Sequence, residues 1–521
     1  MIRISNIKYP PIKPESEIFE YVAARYKLNI KSFRIHRKSV DARKKNDIHY
    51  VYTVDVGTDN DALALKRIKG AAKINDKKYR LPVGTPPEKP VVIAGFGPAG
   101  MMCAHSLVKM GARVIVLERG ADVDTRIGDV ERFRAHGELD PESNVQFGEG
   151  GAGTFSDGKL TTGVNDERIA YILEQFVIHG APEEITYRAK PHVGTDNLIE
   201  MVKAFREDII SRGGEVRFKT KLTGIVTKDC FVTAARVEDE NGEYEIETDS
   251  IVIACGHSAR DTFRMLQRAG AKMERKPFSV GVRIEHRQHT INTAQYGDMH
   301  EFLPPADYKL SVKTSTGRSA YTFCMCPGGE VIASASEYGG IVTNGMSRFA
   351  RDGENANSAL LVNVMPDDLD SEDALAGAEL QRDIEQAAYE LCGGYRAPCM
   401  SVGAFMGAME QKATVSPTYR PGVMFCDFTG IFPRYVIDTL REAIPMLGRK
   451  LRGFDDPGAV MTAPETRSSS PVRIVRDEAY NSSIRGLYPC GEGAGYAGGI
   501  MTAAADGIKV AEAIMRELSD E

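Results

Sequence analysis

Residues 150–160 read GGAGTFSDGKL, and Gly153 to Leu160 falls one residue short of a GxxxxGK[ST] phosphate loop. That loop needs a hydroxyl directly after its lysine to hold magnesium, and a buried strand in front of it. Here position 160 is leucine, Thr161 comes one residue late, and the preceding residues are PESNVQFGEG. A nucleotide-hydrolysing site is therefore excluded, and the glycines must hold something else. A second loop has the right context. Gly95-Phe-Gly97-Pro98-Ala99-Gly100 follows the apolar run VVIA, opens a helical pattern, and is followed by the run RVIVL and then Glu118. Gly95 allows the tight turn, Gly97 lets backbone amides approach a pyrophosphate, and Gly100 permits close helix-to-strand packing. The helix N-terminus attracts the anion, and Glu118 is placed for a ribose diol.

Other combinations have plainer readings. In Gly256-His257-Ser258-Ala259-Arg260-Asp261 the His/Ser/Asp trio has the S-x-x-D spacing of a helix N-cap, and a hydrolase triad is assembled by the fold rather than by adjacency. Nine cysteines, an odd number, suit a reducing compartment. Cys324 with Cys326, and Cys392 with Cys399, lack CxxC spacing, and no histidine cluster completes a zinc set, so they read as core thiols and no metal is expected. The basic run at 33–45, with Arg34, Arg37, Lys38, Arg43, Lys44 and Lys45, offers phosphate contacts. A charged strand edge that discourages pairing is the simpler reading. Arg467 and Arg473 flank an SSSP loop, where a solvated loop is the plain reading and cations at a ligand site the alternative.

The elements that must carry these loops follow from periodicity. Residues 1–86 read as a small α+β unit, with MIRISNI, SFRIHRKSV and HYVYTVDV as strands and ESEIFEYVAARYKL as a helix; TPPEKP then forms a stiff linker. From 91 to 118 the pattern is βαβ. Residues 121–190 look charged and irregular, DNLIEMVKAFREDIIS is an amphipathic helix, and short strands lead to SIVIACG. SVGVRIEH, SAYTFCMC and EVIASAS suggest an antiparallel layer across 271–410, and the chain closes on strand, glycine loop and helix. At 521 residues there is room for several domains, and a net charge of −6 disfavours a protein that coats nucleic acid or an anionic membrane. No apolar run approaches the roughly 18 residues that span a bilayer, and the N-terminus is not signal-like, so a cytoplasmic protein is expected.

GFGPAG with Glu118, the IVIACG strand and GLYPCGEGAGYAGGIMTAAADG resemble the glutathione-reductase-like FAD superfamily. FGEGGAGTFSDGKL, NGMSRFARDGENANSALLVNV and ETRSSSPVRI are similar to a family of uncharacterised FAD-dependent dehydrogenases within it, over nearly the whole chain. The resemblance implies an α/β fold: a discontinuous Rossmann-type FAD domain with three ββα layers (87–270 and 476–521), an inserted antiparallel β/α substrate domain (271–475), and an N-terminal α+β domain of ferredoxin-like type (1–86). It implies FAD contacts from Gly95, Gly97, Pro98, Ala99 and Gly100, from Glu118 and Arg119, and from Gly150, Gly151, Ala152 and Gly153. Leu222, Cys255 and Gly256 join them, with Gly491 and Glu492 at the ribityl chain and Gly498, Gly499 and Ile500 at the pyrimidine edge, where a helix N-terminus favours negative charge. Ser156, Asp157, Lys159 and Arg473 are the candidate catalytic residues against the flavin, with no general base.

The expected activity is an FAD-dependent oxidoreductase acting on a small molecule. No second GxGxxG follows a strand, so NAD(P)H would dock transiently if it is the donor, and another donor or the substrate itself remains open. A flavin-dependent RNA-modifying enzyme with the N-terminal unit as RNA platform, and a non-catalytic flavin scaffold, are the alternatives. Oligomeric state is not readable from the chain.

Overall fold

The computed structural model describes residues 1–75 and 78–517. Its centre is a five-stranded parallel sheet in the order Leu487–Pro489, Ile251–Ile253, Val91–Ala94, Val114–Leu117, Glu215–Arg217. Both faces are covered. Val91 and Ile93 point toward the helices Pro98–Lys109, Thr195–Ser211 and Ile500–Glu517, whereas Val92 and Ala94 point toward a three-stranded antiparallel sheet of Lys221–Lys228, Phe231–Asp239 and Gly242–Glu247. The all-apolar strand VVIA follows from that sandwiching, because alternate side chains enter different cores. The last strand and helix join this layer from the far end of the chain.

The segment between them builds a seven-stranded sheet in the order Ser311–Lys313, Ser319–Cys326, Asn355–Val364, Phe278–Arg287, Val460–Glu465, Ala397–Ser401, Val423–Phe425. It is antiparallel except for the final pair. Helices Ala376–Cys392 and Arg434–Gly448 pack on it, the first of them unexpected from the strand-like reading of this region.

The N-terminal unit runs strand, helix, two strands, helix, strand. Its sheet order is Ile30–Asp41, His49–Thr58, Ile2–Tyr9, Ala71–Lys73, and its helices are Ile18–Tyr26 and Asp61–Arg67. It is tied to the rest by Lys38, whose amide donates to Tyr187 O at 2.7 Å and whose carbonyl accepts from Ala189 N at 2.8 Å. Ile48 also enters the core of the seven-stranded sheet. The proline-rich stretch is no free spacer: ahead of it, Tyr79 donates to Glu512 and packs on Tyr171, fixing the chain against the last helix.

Residues 121–190 are more regular than their charge suggests. Val123–His136 is a helix capped by Asp122, which accepts from the amides of Asp124 and Thr125 at 3.1 and 3.2 Å, and it ends at Gly137 with φ of 73°. A second helix spans Arg168–Ile178. Among the described residues no helix is long and apolar enough to cross a membrane.

Candidate functional site

A cavity of about 620 Å³ runs from the C-terminal edge of the parallel sheet to the inner face of the seven-stranded sheet. That size lies within the roughly 300–1,000 Å³ range of small-molecule and cofactor sites. Gly95, Gly97, Pro98 and Ala99 line one end, with Glu118 and Arg119 beside them. Gly151, Ala152 and Gly153 face them, followed by Leu222, Cys255 and Gly256. Glu492, Gly498, Gly499 and Ile500 complete this half. The far half is walled by Thr322, Cys324, Asn344, Glu465 and Arg467.

Gly100, Gly150 and Gly491 lie behind the wall, each for a packing reason. A Cβ on Gly100 would come within 2.0 Å of Gly95 O, one on Gly150 within 2.1 Å of Thr154 Oγ1, and one on Gly491 within 2.6 Å of Ala99 Cβ. Gly97 differs. Its φ of −79° suits any residue, and an added Cβ would meet only Gly151 Cα, at 3.8 Å. Nothing in the protein requires glycine there, so its missing side chain is room for a ligand at a helix N-terminus. Gly498 and Gly499 likewise face open space, at the start of the final helix. These residues fit a long, anionic dinucleotide such as FAD.

Glu118 is more than a ribose acceptor. One carboxylate oxygen accepts from Phe96 N at 2.9 Å, and the other from Gly120 N and Gly148 N, both at 2.9 Å. It thus clasps three turns together while its remaining lone pairs border the cavity. Arg119 is engaged by Glu142 and Asp261 and stacks 4.3 Å from the Phe147 ring centroid, so it buttresses the wall. Asp261, together with Lys221, belongs to that network, and the helix after Gly256 is capped by Ala259 without any side-chain bond. The expected Ser258/Asp261 cap is therefore corrected. Ser258 instead donates to Gln146 Oε1 at 3.0 Å, because the turn points it at the neighbouring loop.

Of the candidate catalytic residues, Ser156, Asp157 and Lys159 line the cavity and Arg473 does not. The Ser156 hydroxyl donates to Gly153 O at 2.7 Å and accepts from Gly158 N at 3.0 Å, which makes it a turn residue. Asp157 is buried; burial alone would raise its pKa, but Arg351 and Lys159 outweigh that and hold it below the ordinary value. Lys159 Nζ, 4.0 Å from Asp157, keeps its side chain at the cavity. Arg473 is not brought to the wall: it is exposed on strand Val472–Ile474, with its guanidinium 5.5 Å from the Tyr496 ring.

Arg126 and Glu465, which shape the wall, have no sequence signature. Arg126 is fully buried and donates to the carbonyls of Asn144, Val145, Glu149 and Gly151 at 2.6–3.0 Å, which fixes the path into the glycine cluster. Burial pushes its pKa down to about 10. On the helix 123–136 it reads like any solvated arginine, and only the presence of a cap pair around that helix could have prompted the question. Glu465 is pushed up to about 7 by burial, against the pull of Arg283 at 3.1 Å. Glu492 is pushed up to about 7 by burial, although it accepts from Gly499 N at 3.2 Å and lies near Lys276. His257 falls to about 4, through burial first and then Arg467 and Arg260, so it is neutral at physiological pH.

Three cations of the basic run are paired within the N-terminal unit. Arg34 meets Asp55 at 2.7 Å, Lys38 meets Glu15, and Arg43 meets Asp41 at 2.6 Å. His105, His179 and Asp208 converge on the helical side of the parallel sheet, but Arg212 donates to both Asp208 oxygens, at 3.0 and 2.9 Å.

Residues 277–468 match the family model described as "FAD-dependent protein, C-terminal domain-like", and residues 1–57 match a domain of unknown function. An uncharacterized protein of Clostridium beijerinckii is 46% identical over 504 residues, covering 94% of this chain and 93% of its own. A digeranylgeranylglycerophospholipid reductase of Methanosarcina mazei is 24% identical over 174 residues, 32% of this chain and 37% of its own. The flavin-dependent brominase Bmp2 aligns over 84% of this chain and 80% of its own, with 15% identity and a TM-score of 0.38. The extent of the clostridial match places the chain: it belongs to the same family as that protein, and its residues 277–468 are similar to the C-terminal domain of FAD-dependent proteins.

Proposed function

We infer that this protein is an FAD-dependent oxidoreductase that passes hydride or electrons between the flavin and a small molecule. The observation that carries this reading is the continuity of one cavity from the Gly95–Gly100 turn to Cys324, Asn344, Glu465 and Arg467 of the inserted sheet. The first half matches a dinucleotide and the second is left for a substrate. In this reading the parallel-sheet layers are the discontinuous Rossmann-type domain of the glutathione-reductase-like superfamily, the seven-stranded sheet is the substrate domain, and the N-terminal unit is ferredoxin-like.

FAD would supply the redox chemistry; the chain's residues bind, orient and shield it. The amides of Gly97 and Ala99 and the dipole of Pro98–Lys109 would hold the pyrophosphate, and Glu118 the ribose. Glu492 would hold the ribityl chain and Gly499–Ile500 the pyrimidine edge, all three lining the cavity. Lys159, the cation of the 150–160 loop that lines the cavity, sits where developing negative charge is stabilised. NAD(P)H docking transiently, another donor, or the substrate itself would supply the electrons.

Purified protein is expected to carry flavin absorbance or to take up FAD, and to bleach anaerobically with NADH, NADPH or one member of a metabolite panel. Absence of flavin after reconstitution sinks the reading. Lys159→Ala should keep FAD content while slowing flavin reduction at least about ten-fold, equivalent to about 1.4 kcal/mol; unchanged reduction removes the lysine from the site.

A further inference from the structure

The strand Ser319–Cys326 carries a feature that flavin binding does not require. Its pairing with Asn355–Val364 slips between Phe323↔Ala359 and Cys326↔Asn357, so three steps on one strand face two on the other. The extra residue forms a bulge, and Cys324 there adopts φ of +44°, a left-handed conformation that side chains avoid. Extended residues two apart lie about 6.6 Å from one another, at the outer edge of the roughly 4.4–6.8 Å that a disulfide spans. Within the bulge the Cys326 thiol reaches back to Cys324 O at 3.3 Å.

The surroundings suit sulfur redox chemistry. Cys324 lines the cavity, and Cys326 is fully buried behind it. The Arg283 guanidinium donates to Cys324 O at 2.8 Å and approaches Cys326 Sγ at 3.6 Å. Cys324 draws the Cys326 thiol below its ordinary pKa, with Arg283 and Lys159 helping against burial, and Cys324 rises correspondingly. Proton exchange between the two sulfurs would put the thiolate on the one that faces the cavity. Both cysteines are free thiols in the structure.

We propose that Cys324 and Cys326 are a redox-active dithiol that exchanges with an external disulfide entering the cavity. The Cys324 thiolate attacks one sulfur of R–S–S–R, forming a Cys324–S–S–R bond and releasing RS⁻. Cys326, as thiolate, then attacks the Cys324 sulfur, closing the Cys324–Cys326 disulfide and releasing the second RS⁻. The two cysteine protons end on the two released thiols, and the pair has lost two electrons to the external disulfide. The reverse sequence reduces the pair with dithiols. This exchange stands whether or not the proposed flavin reaction does, although both use the same cavity.

The test uses the full-length, FAD-loaded protein incubated with oxidised glutathione, quenched in acid, alkylated under denaturing conditions and digested with trypsin. Residues 319–348 form one tryptic peptide holding both cysteines and no other. The expected product is that peptide two hydrogens lighter and closed to alkylation, formed at least about ten-fold faster than any modification of the exposed Cys230. Cys326→Ser should trap glutathione on residue 324, and Cys324→Ser should leave the peptide unmodified; FAD content reports that each variant is folded. A wild-type peptide that stays fully alkylatable, or that accumulates two glutathione adducts without closing, overturns the proposal. A disulfide mapped to other cysteines of the chain instead overturns it as well.

Discussion

At the residue scale, Gly97 and Glu492 carry the most separable consequences. Gly97 has an ordinary backbone conformation and an unfilled space before it, so Gly97→Val should leave the melting temperature of the flavin-free protein within about 2 °C, since surface-like substitutions usually change stability by under about 0.5 kcal/mol. FAD affinity should fall at least about ten-fold, or 1.4 kcal/mol, in an equilibrium titration. Equal affinity would show that the space is not where the cofactor lies. Glu492 has its pKa raised to about 7 by burial, so the folded state keeps its proton where the unfolded chain has already lost it. The folded state then binds more protons, and stability falls as pH rises from the ordinary carboxylate range toward 7. Flavin-free Glu492→Gln, lacking that titration, should lose less stability than the native protein between pH 5 and 7 in circular-dichroism melts. Parallel curves would place the raised pKa elsewhere.

At the scale of elements, the helix Val123–His136 presents Arg126 to the loop that carries the glycine cluster, and its start rests on Asp122. Asp122→Ala removes a cap accepting from two amides, and the expected cost is about 1 kcal/mol in chemical denaturation. Hydrogen exchange should also quicken across residues 144–151, which Arg126 holds through their carbonyls. Faster exchange confined to the helix itself would uncouple it from the loop. The sequence shows this helix poorly because its outward face is charged and its inward arginine is indistinguishable by type from an outward one. Packing alone makes Arg126 internal.

At the scale of the molecule, one buried network locks the parallel-sheet layers to the inserted sheet. Glu385, on helix Ala376–Cys392, is paired with Arg260 at 2.9 Å and with Arg467 at 2.8 Å, and Arg260 also reaches Glu337 at 2.8 Å. Burial would raise the Glu385 pKa, but the two guanidinium groups bring it down to about 2. A depressed carboxylate contributes stability that is present above its unfolded value and is lost as pH falls toward 2. Glu385→Ala would strand buried cations, with an expected loss of about 3–5 kcal/mol near neutral pH. Below about pH 3 the deficit relative to the native protein should shrink, and a deficit unchanged by acid would assign the loss to packing.

The sequence by itself determined the loop chemistry. GFGPAG after VVIA fixes a strand, a turn and a helix N-terminus because only glycine survives at Gly95 and Gly100, where an added Cβ would lie 2.4 Å and 2.0 Å from carbonyl oxygens. The amphipathic helix at 195–211 was equally legible, since its buried Leu198, Met201, Val202, Phe205 and Ile209 follow one stripe. These features are local, and spacing records them. The tertiary structure decided which charged and sulfur-bearing residues do more than fill surface or core. It committed Asp157 to Arg351, turned Ser156 into a loop brace, left Arg473 outside the cavity, and brought Cys324, Glu465 and Arg467 into its wall. The reason is physical: a side chain's environment is set by partners as far away in sequence as the 194 positions between Asp157 and Arg351, and no local pattern carries that distance.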